Sequence, residues 1–343
     1  MSLPYILLSI IWFALIAYAV TGGADYGAGI WDLLASGPQG ERQHELINQA
    51  LGPIWETNHV WLVFLVVGLF SAFPVPFSLI VIVLFVPLTL ALLGIVLRGS
   101  AFVFRTHGLR TGKPYLTIWT RVFSFSSIMT PFFLGLAAAA VASGEIRVHN
   151  GVAMVATRTF WFSPFPLIIG LMAILLCATL AAIYLTVEAT NAGQTDLAET
   201  YRKRGLITGA ITAVLGAVGI LLSPAEAPQL WQGMLNHAIP LVVVTMLIGL
   251  GAAFTLYARH YRIARILIVG ETAFLLGSWG ISQIPYLIPP DITVNGGAGA
   301  PSTLLLLLIG VSIGLLIILP SIYLLLYIFK LKNGVGLPEQ GHE

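Results

Sequence analysis

The chain has 343 residues, of which 58% are hydrophobic and only 9% are charged, against roughly 25% charged residues in an average soluble domain. So few charged side chains cannot cover a soluble protein of this length, which excludes an ordinary soluble enzyme, a nucleic-acid-binding protein and a disordered chain. The mean hydropathy of +0.94 indicates an integral membrane protein. The single cysteine, Cys177, allows no intrachain disulfide and no cysteine-based zinc or iron–sulfur site.

Nine apolar stretches are long enough to cross a bilayer as helices, because a spanning helix needs about 20 apolar residues. In chain order they are 3–24, 52–72, 77–97, 117–142, 164–188, 205–223, 237–257, 263–282 and 303–329. No Lys or Arg precedes Arg42, so the first stretch lacks the basic start of a cleavable signal peptide and is expected to stay. We predict an all-α membrane protein with one transmembrane domain over 1–343, arranged as two four-helix bundles plus one peripheral helix.

Loops and basic residues predict the orientation. The longest loop, about 27 residues between the first two stretches, includes an amphipathic segment near 41–51. Of the 16 Lys and Arg residues, only Arg147 and Arg158 fall on the N-terminal face of a nine-span chain, and the other 14 fall on the opposite face. The positive-inside rule then predicts that the N-terminus is outside and the C-terminus is in the cytoplasm.

Ionisable residues inside membrane spans are candidates for function by default. With this topology five of them lie in the cytoplasmic half: Asp25, Glu56, His59, Glu188 and Glu271. Glu56 and His59 stand at i and i+3 and therefore share a helical face. Carboxylates and an imidazole that open to the cytoplasm are the groups that proton uptake requires. We therefore predict a proton route through these residues, although Glu188, at the end of its helix, could instead be an interfacial residue.

Structural alternatives exist for the other polar features. Asp25 follows the predicted end of the first helix and could cap it, and Glu271 could hydrogen-bond to a neighbouring helix. The glycines of 22–29 follow a membrane helix and not a strand, so they indicate close helix contact or a broken helix end and not a dinucleotide loop. His59 and His237 lie in opposite halves of the membrane, which argues against a bis-histidine haem and leaves a single axial His59 open. No metal site is predicted.

Four motifs resemble subunit II of cytochrome bd-type quinol oxidases. Residues 23–29 resemble that family's Gly-x-Asp-x-Gly-x-Gly element, and residues 53–63 resemble its second-helix signature. Residues 70–74 resemble the continuation of that signature, and residues 98–105 resemble the motif that closes the third helix. The structural positions of these motifs include Gly23, Gly27, Gly29, Arg98 and Arg105.

The resemblance implies a partner and a reaction. In this family a homologous larger subunit I carries haem b, haem d or both, together with the quinol site, while subunit II usually binds no haem; some complexes have a small accessory subunit. The heterodimer oxidises quinol and reduces oxygen to water in a bacterial or archaeal cytoplasmic membrane. The resemblance assigns Asp25 and Glu56 to a proton route near the subunit interface, and Trp61 with Asn58 to an oxygen path or to that interface.

Within the second-helix signature, Glu56, Thr57 and His59 replace the usual Asp, Gly and Glu, which is similar to the cyanide-insensitive branch of the family. This departure leaves the partner's haem types and the role of His59 open. Two other functions also stay open from the residues alone. Buried acids and interrupted helices would suit a proton- or cation-coupled secondary transporter, and the same acids could serve a purely structural membrane subunit.

Overall fold

The computed structural model describes residues 2–107, 113–149, 151–155, 157 and 159–332, with side chains at these positions except 51–57, 106, 107, 113–117, 318, 319, 322 and 325–332. The helices in chain order are α1 (Leu3–Leu33), α2 (Gly40–Ala72), α3 (Pro74–Val83), α4 (Phe85–His107), α5 (Lys113–Ala142), α6 (Pro164–Asn191), α7 (Thr195–Glu226), α8 (Pro228–Gly233), α9 (Ile239–Tyr257), α10 (Tyr261–Gln283) and α11 (Pro301–Lys332). A π-helical turn, Met234–Ala238, joins α8 to α9. The predicted all-α fold class is therefore confirmed.

Two short antiparallel hairpins lie between helices. Strands β1 (Arg147–His149) and β2 (Val152–Met154) pair with each other, and so do β3 (Tyr286–Ile288) and β4 (Ile292–Thr293). Asp291 links the two hairpins, because its carboxylate accepts a hydrogen bond of 2.8 Å from the backbone N–H of Val148. We call this the hairpin end of the molecule.

The opposite, basic end is where α1 finishes and where α2, α7 and α10 begin. Ion pairs hold these helix ends together. Arg42 of α2 lies 2.7 Å from Asp196 of α7, and Arg202 of α7 donates to the backbone carbonyl of Tyr257 at the end of α9 at 3.3 Å. The basic segments at the start of α2, at the start of α7 and between α9 and α10 therefore meet at one end of the helices.

Each predicted stretch is helical over most of its length, but the first helix ends later and the second begins earlier than predicted. Helix α1 continues to Leu33 and α2 begins at Gly40, so the predicted loop of about 27 residues is reduced to 34–39. The amphipathic segment near 41–51 is the first part of α2. Hydropathy detects only the apolar turns of a helix. The polar turns at the end of α1 and the start of α2 are helical because their side chains pair with side chains of other helices.

The third predicted stretch is interrupted. Helices α2 and α3 meet at Phe73 with a bend of 116°, and Leu84 separates α3 from α4. Pro74 explains the first break, since the residue before a proline is driven out of the helical region, and Phe73 has φ −134° and ψ 62°. Within the described residues, seven helices are long and apolar enough to span a membrane, or eight if the bent pair is one span. Nine spans remain a prediction.

Helix α1 lies at the centre of the packing. It contacts α2, α5 and α6, while α4 packs on α5, α7 on α6, and α9 on α10. Two glycines permit this closeness: a Cβ on Gly27 would collide with the backbone carbonyl of Cys177 in α6, and one on Gly29 would collide with Ser127 in α5. The predicted close helix contact is thus confirmed for this segment. Because α6 packs against α1 and α5 as well as α7, the division into two bundles remains a prediction.

Candidate functional site

Asp25 lies inside α1 and not at its end, so a capping role is wrong. Its side chain is buried, and its two carboxylate oxygens have partners on two other helices. Arg98 of α4 donates to both oxygens, at 2.9 Å for the Nη2–Oδ1 contact, and Asn58 of α2 donates from Nδ2 to Oδ2 at 2.7 Å. Asp25 therefore joins α1, α2 and α4 through one carboxylate.

Arg98 is as completely buried as its partner. Besides the carboxylate, Arg98 donates from Nη2 to the backbone carbonyl of Asp25 at 2.8 Å and from Nε to Ser127 Oγ at 2.9 Å. Its guanidinium carbon lies 4.8 Å from the ring centre of Tyr26 and 4.5 Å from that of Phe123. A buried ion pair is tolerated when hydrogen bonds satisfy both ions, and this pair meets that condition.

A second buried carboxylate, Asp32, lies two helical turns further along α1. Arg105 of α4 donates to its Oδ2 at 2.8 Å, and Nδ1 of His44 lies 2.6 Å from its Oδ1. The Asp32 side chain has no exposed surface, whereas the His44 side chain is 36% exposed. His44 therefore connects a buried acid to the solvent at the basic end.

The two ion pairs lie one after the other along α1 and α4, and with Asn58 and His44 we call them the polar track. Residues seven apart share a helical face, so Asp25 and Asp32 face α4 together. The ring of Phe123 separates their arginines, with its centre 4.5 Å from the guanidinium carbon of Arg98 and 4.9 Å from that of Arg105. The track runs from exposed His44 into the bundle interior.

The second-helix motif lies where α2 passes Asp25. Asn58 is buried against Asp25 inside the chain, and its place on an oxygen path or partner interface stays a prediction. The Glu56 side chain falls outside the described residues. His59 is partly buried, and so is Trp61, which packs edge-to-face on Phe13 with ring centres 6.1 Å apart.

The remaining predicted acids lie elsewhere. Glu188 accepts a hydrogen bond from Arg265 of α10 at 3.2 Å near the basic end. The Glu271 carboxylate lies against Gly249 of α9, where a Cβ would be 2.7 Å from Oε1. Within the described part of the chain Glu271 has no hydrogen-bond or ion-pair partner. The structure thus joins Asp25 to Asn58 and Arg98, but it does not bring Glu188 or Glu271 to them.

Sequence reasoning missed Asp32 and His44, which lay beyond the predicted end of the first helix. One signal was available. Asp25 and Asp32 have the same spacing as Arg98 and Arg105, which predicts two acids and two arginines on facing stripes of two helices.

Across the described ranges, no group of three or more His, Cys, Asp or Glu side chains is placed to hold a metal ion. The polar track contains carboxylates, an imidazole, amides and guanidinium groups. Of these groups the carboxylates and the imidazole can take up and release protons, whereas the guanidinium and amide groups act as hydrogen-bond partners that keep one protonation state.

The family model described as cytochrome bd terminal oxidase subunit II matches residues 3–329 of this chain. A Bacillus subtilis (strain 168) protein provisionally named subunit II of a cytochrome bd menaquinol oxidase is 28% identical over 328 residues, or 93% of each chain. Subunit 2 of the Escherichia coli (strain K12) cytochrome bd-I ubiquinol oxidase is 24% identical over 222 residues, covering 62% of this chain and 58% of that one.

One solved structure has the same fold. A chain of the bd oxidase from Geobacillus thermodenitrificans superposes with a TM-score of 0.77 at 24% sequence identity. The match covers 96% of this chain and 99% of that chain.

Proposed function

This chain belongs to the family of cytochrome bd terminal oxidase subunit II, and from that premise we propose that it supplies a proton route and part of the subunit interface of its complex. It is a subunit of a bd-type quinol oxidase, an oxidoreductase of the membrane. In this proposal its partner is a homologous subunit I, which carries haem b, haem d or both and the quinol site. A small accessory subunit is compatible with the proposal. This chain itself holds no haem.

The observation that carries the proposal is the polar track of α1, α2 and α4. Asp25 and Asp32 are both buried carboxylates on one face of α1. The exposed edge of His44 can exchange protons with water, while its Nδ1 is held by Asp32. In the proposed route protons then pass along α1 to Asp25 and on to Glu56 and His59 of α2.

Asp25 takes part in the route through its ion pair. If Asp25 accepts a proton, Arg98 keeps its hydrogen bonds to the backbone carbonyl of Asp25 and to Ser127. The guanidinium then keeps these two hydrogen bonds, but its buried charge is no longer balanced, so in this route a proton resides on Asp25 only transiently. Glu188 and Glu271 are left outside the route, because they face α10 and α9 and have no described contact with this track.

Trp61 and its neighbours on α2 form the proposed interface and oxygen path. Val60, Val63 and Phe70 expose more than half of their surfaces on the same helix. Such an apolar face is suited either to lipid or to another membrane subunit, and Trp61 with Phe13 gives it an aromatic edge.

The proposed topology has nine spans in two four-helix bundles plus a peripheral helix. The bent pair α2 and α3 with α4 then accounts for the second and third spans, and α11 is the ninth. The basic end lies in the cytoplasm of a bacterium or archaeon, and the N-terminus lies outside.

The test is oxygen consumption by the assembled complex after Glu56→Gln. The substitution keeps the size of the side chain and removes its proton, so we expect the turnover to fall by about 100-fold, the lower range for a positioned acid or base. Glu45→Gln is the matched control, because Glu45 is an exposed acid on the same helix. Unchanged turnover in an intact Glu56→Gln complex would leave only a structural role for Glu56.

A further inference from the structure

A cleft opens at the basic end between α6 and the turn that joins α9 to α10. Its volume is about 300 Å³, and its polar lining consists of Thr190, Asn191, Arg259, His260, Tyr261 and Arg262. None of these residues belongs to the polar track of α1, α2 and α4. The cleft is therefore a separate feature of the second half of the chain.

The cleft has an excess of positive charge. Arg259 lies 3.6 Å from Glu199, but that carboxylate is already held by Arg202 at 2.6 Å. In the described part of the chain Arg262 has no ion-pair partner. Helix α10 begins at Tyr261, so the partial positive charge of a helix N-terminus adds to that of the two arginines. The cleft thus presents donors and positive charge that an anion would satisfy.

The turn between α9 and α10 holds Arg259 in an unusual backbone conformation with an exposed side chain. Arg259 has φ 65°, in the left-handed region that residues other than glycine rarely adopt. A glycine or asparagine would fit this turn with less strain, yet the position carries a long cationic side chain that is 68% exposed. The left-handed conformation belongs to the turn that ends α9, in which the backbone N–H of His260 donates to the carbonyl of Thr255 at 2.8 Å, and it leaves the Arg259 side chain in solvent.

Exposed apolar side chains lie on both helices that the turn joins, and one of them, Ile263, lines the cleft. On α9 Leu250 and Phe254 are 67% and 69% exposed, and on α10 Ile263 and Ile266 are 49% and 71% exposed. Residues four apart on α9 and three apart on α10 lie on one side of each helix. The arginines at the helix ends suit the phosphate of a phospholipid, and the apolar side chains along the helices suit its acyl chains. A soluble anion would use the arginines alone.

We propose that this cleft is a binding site for an anionic phospholipid, with the phosphate held by Arg259 and Arg262 and the acyl chains lying on α9 and α10. Basic pockets at helix ends on the positive face of a membrane protein are the places where acidic headgroups bind. Zwitterionic lipid binds less well, because its choline group meets the same arginines. The site is independent of the proton route.

The experiment is native mass spectrometry of the purified oxidase complex titrated with phosphatidylglycerol, and separately with phosphatidylcholine. We expect phosphatidylglycerol to bind more tightly than phosphatidylcholine. Arg262→Gln should weaken phosphatidylglycerol binding about fivefold, because a basic residue near a membrane surface contributes about that factor. The double variant Arg259→Gln with Arg262→Gln should weaken it about 25-fold. Arg262→Lys keeps the charge and is expected to retain most of the binding.

Lys203→Gln is the matched control, because Lys203 is an exposed cation of the basic end that does not line the cleft. It should leave phosphatidylglycerol binding unchanged. An equal loss in Lys203→Gln and Arg262→Gln would overturn the proposal in favour of diffuse surface charge. Undiminished binding in the double variant would overturn it as well. Displacement of the lipid by millimolar inorganic phosphate would show that the cleft takes a free anion and not a lipid.

Discussion

Asp25 and Asp32 lie two turns apart on α1, and each is paired with the arginine 73 positions further along the chain, Arg98 and Arg105 respectively. Equal separations mean that α1 and α4 run in the same direction and in a fixed register. A shift of either helix by one turn would break both ion pairs at once. The polar track is therefore also a lock between two helices that are not neighbours in sequence.

The first prediction concerns the cost of breaking this lock. Asp25→Ala leaves Arg98 as a buried charge with no carboxylate, which we expect to destabilise the protein by about 3–5 kcal/mol. The double variant with Asp25→Leu and Arg98→Met removes both charges and should be considerably more stable than Asp25→Ala. The measurement is the thermal unfolding of the detergent-solubilised complex.

Arg42→Gln provides the comparison for this prediction. Its pair with Asp196 is exposed on both sides and screened by solvent, so its loss should change the stability far less than Asp25→Ala does. Equal effects of Asp25→Ala and Arg42→Gln would show that the buried pair is not a lock.

The second prediction concerns the closest helix contact. In Gly27→Ala the new Cβ meets the backbone carbonyl of Cys177, which cannot move without shifting α6. We expect a loss of about 1–3 kcal/mol and a lower yield of assembled complex. Gly310→Ala in α11 is the control, because no atom lies within 4 Å of the added Cβ. That variant should be neutral or slightly stabilised, and a similar loss in both variants would contradict the packing argument.

The third prediction separates Glu271 from the proposed route. Glu271 faces Gly249 on α9, away from the track of α1, α2 and α4. We therefore expect Glu271→Gln to change the oxygen consumption of the intact complex less than about twofold, far below the effect of Glu56→Gln. Comparable slowing by the two variants would put Glu271 on the route after all.

The positions of the helices could be predicted from the sequence, because apolar length is a local property. The polar turns at 25–33 and 40–51 could not, since they are held by partners distant along the chain, such as Asp32 with Arg105. Because its partner is also distant along the chain, Asp25 was predicted at a helix end, and its ion pair with Arg98 was not predicted.

The direction of individual side chains was the second feature that the sequence could not predict. Asn58 belongs to a motif that carries a family resemblance, but its spacing along α2 does not reveal whether it faces the partner or Asp25. That choice depends on how α1 and α2 are rotated against each other. The hydrogen bond between Asn58 and Asp25 shows this rotation, and it becomes visible only in the packed structure.

The most direct measurement of the central claim is chemical rescue of His44→Ala in the assembled oxidase. Removing the imidazole leaves an exposed gap next to Asp32. We expect oxygen consumption to fall about tenfold. This loss is smaller than that expected for Glu56→Gln, because water can partly replace an exposed imidazole. Millimolar imidazole should restore most of the lost rate, while His149→Ala, an exposed histidine at the hairpin end, should have no effect. Wild-type turnover in His44→Ala, or a loss that imidazole does not relieve, would contradict proton entry through this chain.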